Sequence, residues 1–199
     1  AGGLAYWSAD IDAASANYGA AVAMARALGD DAELANALYN LFFARRPASN
    51  TEEWYDLMRE SDTSLLDEAL EIWTRLGDEQ GMGRALWGLS EFHAYRGEAE
   101  EAESAVSRAL EIFERVGDPF WVSWSRFTRA FGRVLRGDIV DAAADFMPTL
   151  REFWASRDLS GVTLVVAATS TMLLLEGHEV EGYQVAGAEG RLIASTGIM

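Results

Sequence analysis

The sequence predicts an all-α chain, an α–α superhelix (solenoid) of about five tandem helix–turn–helix repeats. Three observations carry this. Residues 69–78 read ALEIWTRLGD and residues 109–118 read ALEIFERVGD, seven identical positions of ten at a spacing of 40. Self-similarity at a fixed period of this length is the mark of a repeat architecture. Turn markers recur in phase: Gly29-Asp30, Gly77-Asp78 and Gly117-Asp118, then Arg157-Asp158, with Arg96-Gly97, Arg136-Gly137 and Glu176-Gly177 midway. Between markers the apolar residues follow the helical i, i+3, i+4, i+7 rule, and no window shows sustained strand alternation bounded by hairpin turns.

The repeats fall at about 1–30, 31–78, 79–118, 119–158 and 159–199, one array over the whole chain. In that register Ala1 lies inside a first helix, so the chain reads as a domain excised from a longer protein, or residues 1–8 as a frayed terminus. Repeat one keeps the small–large–small rhythm of a second helix at Ala14, Tyr18 and Ala21. Repeat two is longer, since Gly29 and Gly77 are 48 apart. Pro47 cannot continue a helix interior, so Pro47–Asn50 reads as a loop. Thr51-Glu52-Glu53 then opens a short inserted helix carrying Trp54, Tyr55, Leu57 and Met58, which either caps a local core or protrudes as a contact element. The insertion occupies about 47–61.

In repeat three, Ala85, Leu86, Leu89 and Phe92 mark one helix, and Ala102, Ala105, Val106, Ala109, Leu110, Ile112, Phe113 and Val116 mark the next. Gly97 and Gly117 suit the left-handed residue that closes a helix, and Asp30, Asp78 and Asp118 suit the acidic cap that opens one. Pro148 falls inside the second helix of repeat four and is expected to kink it. Gly182 and Gly190 are expected to loosen the last helix. Helices this short of core bury themselves on the next pair.

Composition removes several functions. Net charge is −16, spread along the chain, which opposes unassisted binding to nucleic acid or anionic membrane. Cysteine is absent, so there is no disulfide, thiolate metal site or cysteine nucleophile. The longest strongly apolar stretch, Val162–Leu175, is too short to span a bilayer, and no signal peptide is visible; the expected setting is the bacterial cytoplasm. The two histidines, His93 at a packing position and His178 after a turn glycine, form no zinc pattern. Gly81-x-Gly83 lacks the third glycine and the preceding strand of a dinucleotide fingerprint. Without any Lys there is no P-loop, and no Gly-x-Ser-x-Gly elbow occurs. The cluster Glu98, Glu100, Glu101, Glu103 is a solvated first turn of a helix. No catalytic, cofactor or metal residue is expected, and the chain is read as no enzyme.

The pattern resembles the tetratricopeptide repeat in its long form, and within that family the C-terminal repeat regions of LuxR-type or cyclase-linked bacterial regulators that carry a signal-transduction ATPase. Leu86, Leu89, Ser90 and His93 stand at the family's Trp, Leu, Gly and Tyr positions, and Gly97, Ala102, Val106 and Ala109 at its turn glycine and small–large–small positions. The stretch from Gly187-Ala188-Glu189 to Thr196-Gly197 is similar to the closing helix of those repeat regions. His93 departs from the aromatic, and Asp62 replaces a small residue in the second helix of repeat two.

The resemblance implies that first helices line a concave face that binds partners. The family's groove positions fall on Asn36, Tyr39 and Phe43; on Arg84, Trp87, Glu91 and Tyr95; on Trp124, Phe127 and Phe131; and on Leu164, Ala167 and Thr171. Core positions are already filled by Leu38, Leu41, Leu86 and Leu89, so the aromatic rings either line the groove or pack on the adjacent helix. If they line it, Arg84 beside Trp87 and Tyr95 suits a carboxylate, with the rings taking apolar side chains of a peptide, a partner helix or an amphipathic effector. The expected function is a non-catalytic interaction scaffold, within a larger signalling or transcriptional regulator, for a protein or peptide partner. The alternatives are self-association as a homodimer and a small-molecule sensor.

Overall fold

The computed structural model describes residues 10–45, 56 and 59–196. Among them it forms nine long helices and no strand: α1 (Ile11–Leu28), α2 (Asp31–Ala44), α3 (Ser64–Leu76), α4 (Glu79–Arg96), α5 (Ala99–Val116), α6 (Pro119–Arg136), α7 (Ile139–Ser156), α8 (Leu159–Leu175) and α9 (Glu179–Thr196). This is the all-α helical repeat that the 40-residue period predicts. No described helix is long and apolar enough to cross a membrane. The expectations for residues 1–8, for the loop Pro47–Asn50 and for Trp54, Tyr55, Leu57 and Met58 lie outside the described residues.

The turns explain the period. Gly29, Gly77, Gly97, Gly117, Gly137 and Gly177 all have φ between 68° and 82°, a region that costs a side chain about 1–2 kcal/mol. Such a residue ends the helix and satisfies its last carbonyls. The next residue begins a new one. Asp30, Asp78, Asp118 and Asp158 accept the backbone N–H three positions on, at 3.1, 2.9, 3.2 and 3.0 Å. Within each unit, the helices joined by such a turn pack on one another. Three positions deviate. Asp138 makes no cap bond to α7 and accepts from Arg136 Nε at 3.0 Å instead. Arg157 holds the left-handed conformation at φ 59° without being glycine. Glu98 does not cap α5; its carboxylate lies 2.6 Å from Nδ1 of His93 instead.

The chain divides into two compact units, residues 1–117 and 118–199. In the first, each of α1 to α4 packs on the next, and α2 also touches α4. Its core holds Val22, Leu38, Phe42, Leu66, Trp73 and Phe92. In the second, each of α6 to α8 packs on the next, and α6 also touches α8. Its core holds Val134, Phe146, Phe153, Val165 and Met172.

Close approach depends on missing side chains. A Cβ on Gly81 would lie 2.4 Å from the ring of Trp73, one on Gly161 2.5 Å from Phe153, and one on Gly182 2.7 Å from Leu174. Each of these glycines follows its large neighbour by eight positions. Gly182 therefore does not loosen the last helix: α9 runs unbroken past it, and Ser170 Oγ donates to its carbonyl at 2.9 Å. The helix α7 contains Pro148 within its span.

Asp62 also differs from expectation. It stands ahead of α3 rather than inside a helix, accepting both the N–H and the hydroxyl of Ser64 at 2.9 Å. A short acidic side chain that bonds its own backbone two residues on competes with helix formation, so the second helix of repeat two starts only at Ser64.

Candidate partner-binding face

The residues expected to face a partner lie on first helices of the repeats, in both units. In the first unit the structure brings together those of α2 and α4. Phe43 and Trp87, both half-buried, stack at 5.8 Å between centroids and 27° between planes. A bare backbone at Gly88 permits the approach, since a Cβ there would stand 3.2 Å from the Phe43 ring. Tyr39 is only 8% exposed and belongs to the core, its ring 4.8 Å from Phe43 and 5.9 Å from Trp73. It supports the face from beneath. Asn36 sits one turn before Tyr39 and donates to Ala32 O at 3.1 Å. Glu91 and Tyr95 continue the α4 side, both half-buried, with Tyr95 edge-on to Phe92 at 6.5 Å.

Arg84 lies at the centre of this arrangement. Its guanidinium carbon is 4.8 Å from the Trp73 ring and 5.3 Å from the Tyr39 ring, near enough for a cation–π interaction. Nη2 donates to Asn36 Oδ1 at 2.9 Å. Nε is buried and has no hydrogen-bond partner. No described carboxylate pairs with it. The other half-buried arginines are satisfied differently. Arg126 pairs with Glu152, Arg129 holds Asp145 through two bonds of 2.8 and 2.9 Å, and Arg133 meets the same Asp145 at 2.9 Å. Arg96 donates to the carbonyls of Arg59 and Ser61. Arg84 alone of this group has a neutral amide oxygen as its single acceptor among the described residues.

In the second unit the α6 rings pack inward. Trp124 lies 5.2 Å from Phe153 and donates its indole N–H to Asp158 at 3.0 Å. Phe127 lies 5.8 Å from Phe146 and stacks on Phe131 at 6.2 Å. All three flank the core of that unit. On α8, Leu164 and Thr171 are exposed and Ala167 is half-buried. Burial therefore differs among equivalent positions: Tyr39 is in the core, whereas Trp87 and Phe127 are half-buried.

Sequence reasoning missed Trp73. It is 1% exposed, forms the floor under Arg84 and sits inside the repeated ten-residue motif, where it reads only as a core residue. The glycine eight positions later was the available signal: a large ring facing a bare backbone lets α3 and α4 approach closely enough to set Trp73 under α4. The pair Gly81-x-Gly83 serves packing, with Gly83 facing the Phe113 ring at 2.7 Å. Among the described residues no group of three or more His, Asp or Glu side chains is placed to hold a metal ion. No family model matches the chain, and no curated protein matches it.

Proposed function

We propose that the chain is a non-catalytic interaction module that binds a peptide or protein partner on the face formed by α2 and α4, and that it belongs to a larger signalling or transcriptional regulator of the tetratricopeptide type acting in the bacterial cytoplasm. The observation that carries the partner site is Arg84. A half-buried guanidinium framed by rings, with one neutral acceptor among the described residues, lacks the charged partner that the half-buried arginines of α6 possess. Hydrogen bonds to charged groups contribute about 1.5–3 kcal/mol, against about 0.5–1.5 for neutral ones. An acidic group of the partner on Arg84, with apolar side chains against Phe43 and Trp87, fits this face. The charge and the flat rings together suit an extended peptide or one side of a helix.

The test is panning of a displayed peptide library against the protein. Enriched sequences are expected to carry an acidic residue beside apolar ones, and to bind Arg84→Met and Trp87→Ala at least tenfold more weakly. Removing the Arg84 charge loses a cation–π contact of about 0.5–2 kcal/mol but also removes an unpaired buried N–H that costs about 1–3 kcal/mol. Arg84→Met is therefore expected to keep its stability within about 1 kcal/mol of wild type. Peptides that bind the variants undiminished would place the interaction elsewhere; a collapse in stability would make Arg84 structural.

A second reading, self-association, has its own observation. Val140, Met147 and Trp154 stand seven positions apart on one side of α7 and are 84, 53 and 67% exposed. An apolar stripe of this kind marks an association surface. Sedimentation across a wide concentration range checks it: a dimer that Trp154→Gln dissociates supports this reading, and a monomer at every concentration removes it.

A further inference from the structure

The first unit also has a cavity that none of the residues of the aromatic face lines. A cavity of about 150 Å³ opens between the C-terminal end of α2 and the turn ahead of α3, lined by Phe42, Arg45, Ser61, Asp62, Leu65 and Phe92. Its floor is apolar: Phe42 and Phe92 are 4% and 1% exposed and meet edge to face at 4.7 Å. Its rim carries one cation, Arg45, and one anion, Asp62.

Among the described residues no ion pair joins the two, although Arg45 is near enough to favour the charged form of the Asp62 carboxyl. The anion is fixed in place. The N–H and hydroxyl of Ser64 both donate to Asp62 at 2.9 Å. The turn itself is tied to α4 by Arg96, whose Nε donates to Arg59 O at 3.1 Å and whose Nη2 donates to Ser61 O. The backbone hydrogen bond from Ser64, then its hydroxyl, with Arg96 and Arg45 nearby, hold the Asp62 carboxyl below the usual carboxylate range, so it is anionic at neutral pH.

A fixed anion and a nearby cation over an aromatic floor complement a small molecule that is itself dipolar and carries an apolar group. An apolar cavity of about 150 Å³ accepts benzene, which sets the size of that group. We infer that this cavity binds a free α-amino acid with an apolar side chain no larger than a phenyl ring. Its ammonium meets Asp62, its carboxylate meets Arg45, and its side chain lies on Phe42, Leu65 and Phe92. A peptide terminus supplies one of these charges but not both.

Isothermal titration of the protein with L-phenylalanine and L-leucine tests the inference. N-acetyl-L-phenylalanine, which lacks the ammonium, and L-phenylalaninamide, which lacks the carboxylate, serve as probes of each charge. Saturable binding of the amino acids is expected, at least tenfold weaker for both analogues. The same loss is expected for Arg45→Gln and Asp62→Asn, while Arg84→Met binds like wild type. Should Asp62→Asn fail to fold, Arg45→Gln decides, because Arg45 is an exposed residue at a helix end. Absence of binding up to about 10 mM, equal binding of either analogue, or binding unchanged in Arg45→Gln would each overturn the site. None of these outcomes bears on the α2–α4 face, which Arg84→Met and Trp87→Ala test separately.

Discussion

The ring of Trp73 occupies the place where a Cβ on Gly81 would stand, 2.4 Å away. That distance is far inside van der Waals contact, and the ring is wedged among core residues with 1% of its surface exposed. Gly81→Ala must therefore displace the indole or the helix, and overpacking of this kind costs about 1–3 kcal/mol. At Gly19, inside α1, an added methyl would meet no atom within 4 Å. There the same substitution removes only the glycine penalty in a helix interior, so Gly19→Ala is expected to stabilise by about 0.5–1 kcal/mol. Thermal unfolding of the two variants should shift in opposite directions, by about 2–4 °C per kcal/mol for a chain of this size. A neutral Gly81→Ala would show that the α3–α4 contact is looser than the geometry here. Because Trp73 also floors Arg84, the same variant is expected to weaken partner binding.

Most turns between helices use the same two-residue device, and its exceptions are informative. Asp78 caps α4 through a 2.9 Å bond to the N–H of Gly81; Asp78→Ala is expected to cost about 1 kcal/mol. Arg157 occupies a slot that glycine fills in six other turns. Relief of its left-handed strain is offset in part by the freedom glycine gains when unfolded, so Arg157→Gly is expected to stabilise by about 0.5–1 kcal/mol. The urea midpoint of each variant at unchanged slope is the measurement. A fall in the midpoint for Arg157→Gly would mean that the arginine side chain contributes contacts that outweigh the strain. Ion pairs repeat along with the caps. Arg75 reaches Asp31 at 2.6 Å and Arg115 reaches Glu79 at 2.8 Å, in each case from the last turn of a second helix to the first turn of the helix before it. Both pairs are about half exposed, so each contributes at most about 1 kcal/mol; their recurrence sets registry more than stability.

For the molecule as a whole, charge is the dominant long-range term. Sixteen basic residues face 32 acidic ones, and the exposed ion pairs compensate only part of the repulsion. Raising salt from about 0.01 M to about 0.15 M shortens the screening length from about 30 Å to about 8 Å. That weakens repulsion across the molecule more than it weakens contacts at about 3 Å. The melting temperature is therefore expected to rise with sodium chloride over this range. A fall would show that the surface ion pairs outweigh the net charge.

Much of this architecture is legible in the sequence because its causes are local. A glycine in the left-handed region and an aspartate that caps the next N–H act within a few residues of themselves, and the apolar period of about 3.6 follows from helix geometry. The all-α class, the turn positions and the recurring helices therefore follow from the residues alone. The failures were those where a distant neighbour decided the outcome, or where a side chain bonded its own backbone. Asp62 turned from the helix to the N–H of Ser64, and Gly182 served as a contact for Leu174 rather than as a weak point. The face itself was divided by packing. Tyr39 became core while Trp87 and Phe127, at the equivalent position, stayed half-buried, Trp87 against Phe43 and Phe127 against Phe146. Repeat register assigns the same position to Tyr39, Trp87 and Phe127, but burial depends on which side chains the next helix brings opposite. The charge state of the face was decided in the same way. Arg84 and Arg129 are both arginines on first helices, yet only Arg129 finds an aspartate across the helix pair. The sequence by itself determined where most helices start and stop; which cation stays without a carboxylate was decided only by the tertiary structure, since pairing is a matter of distance between groups far apart along the chain.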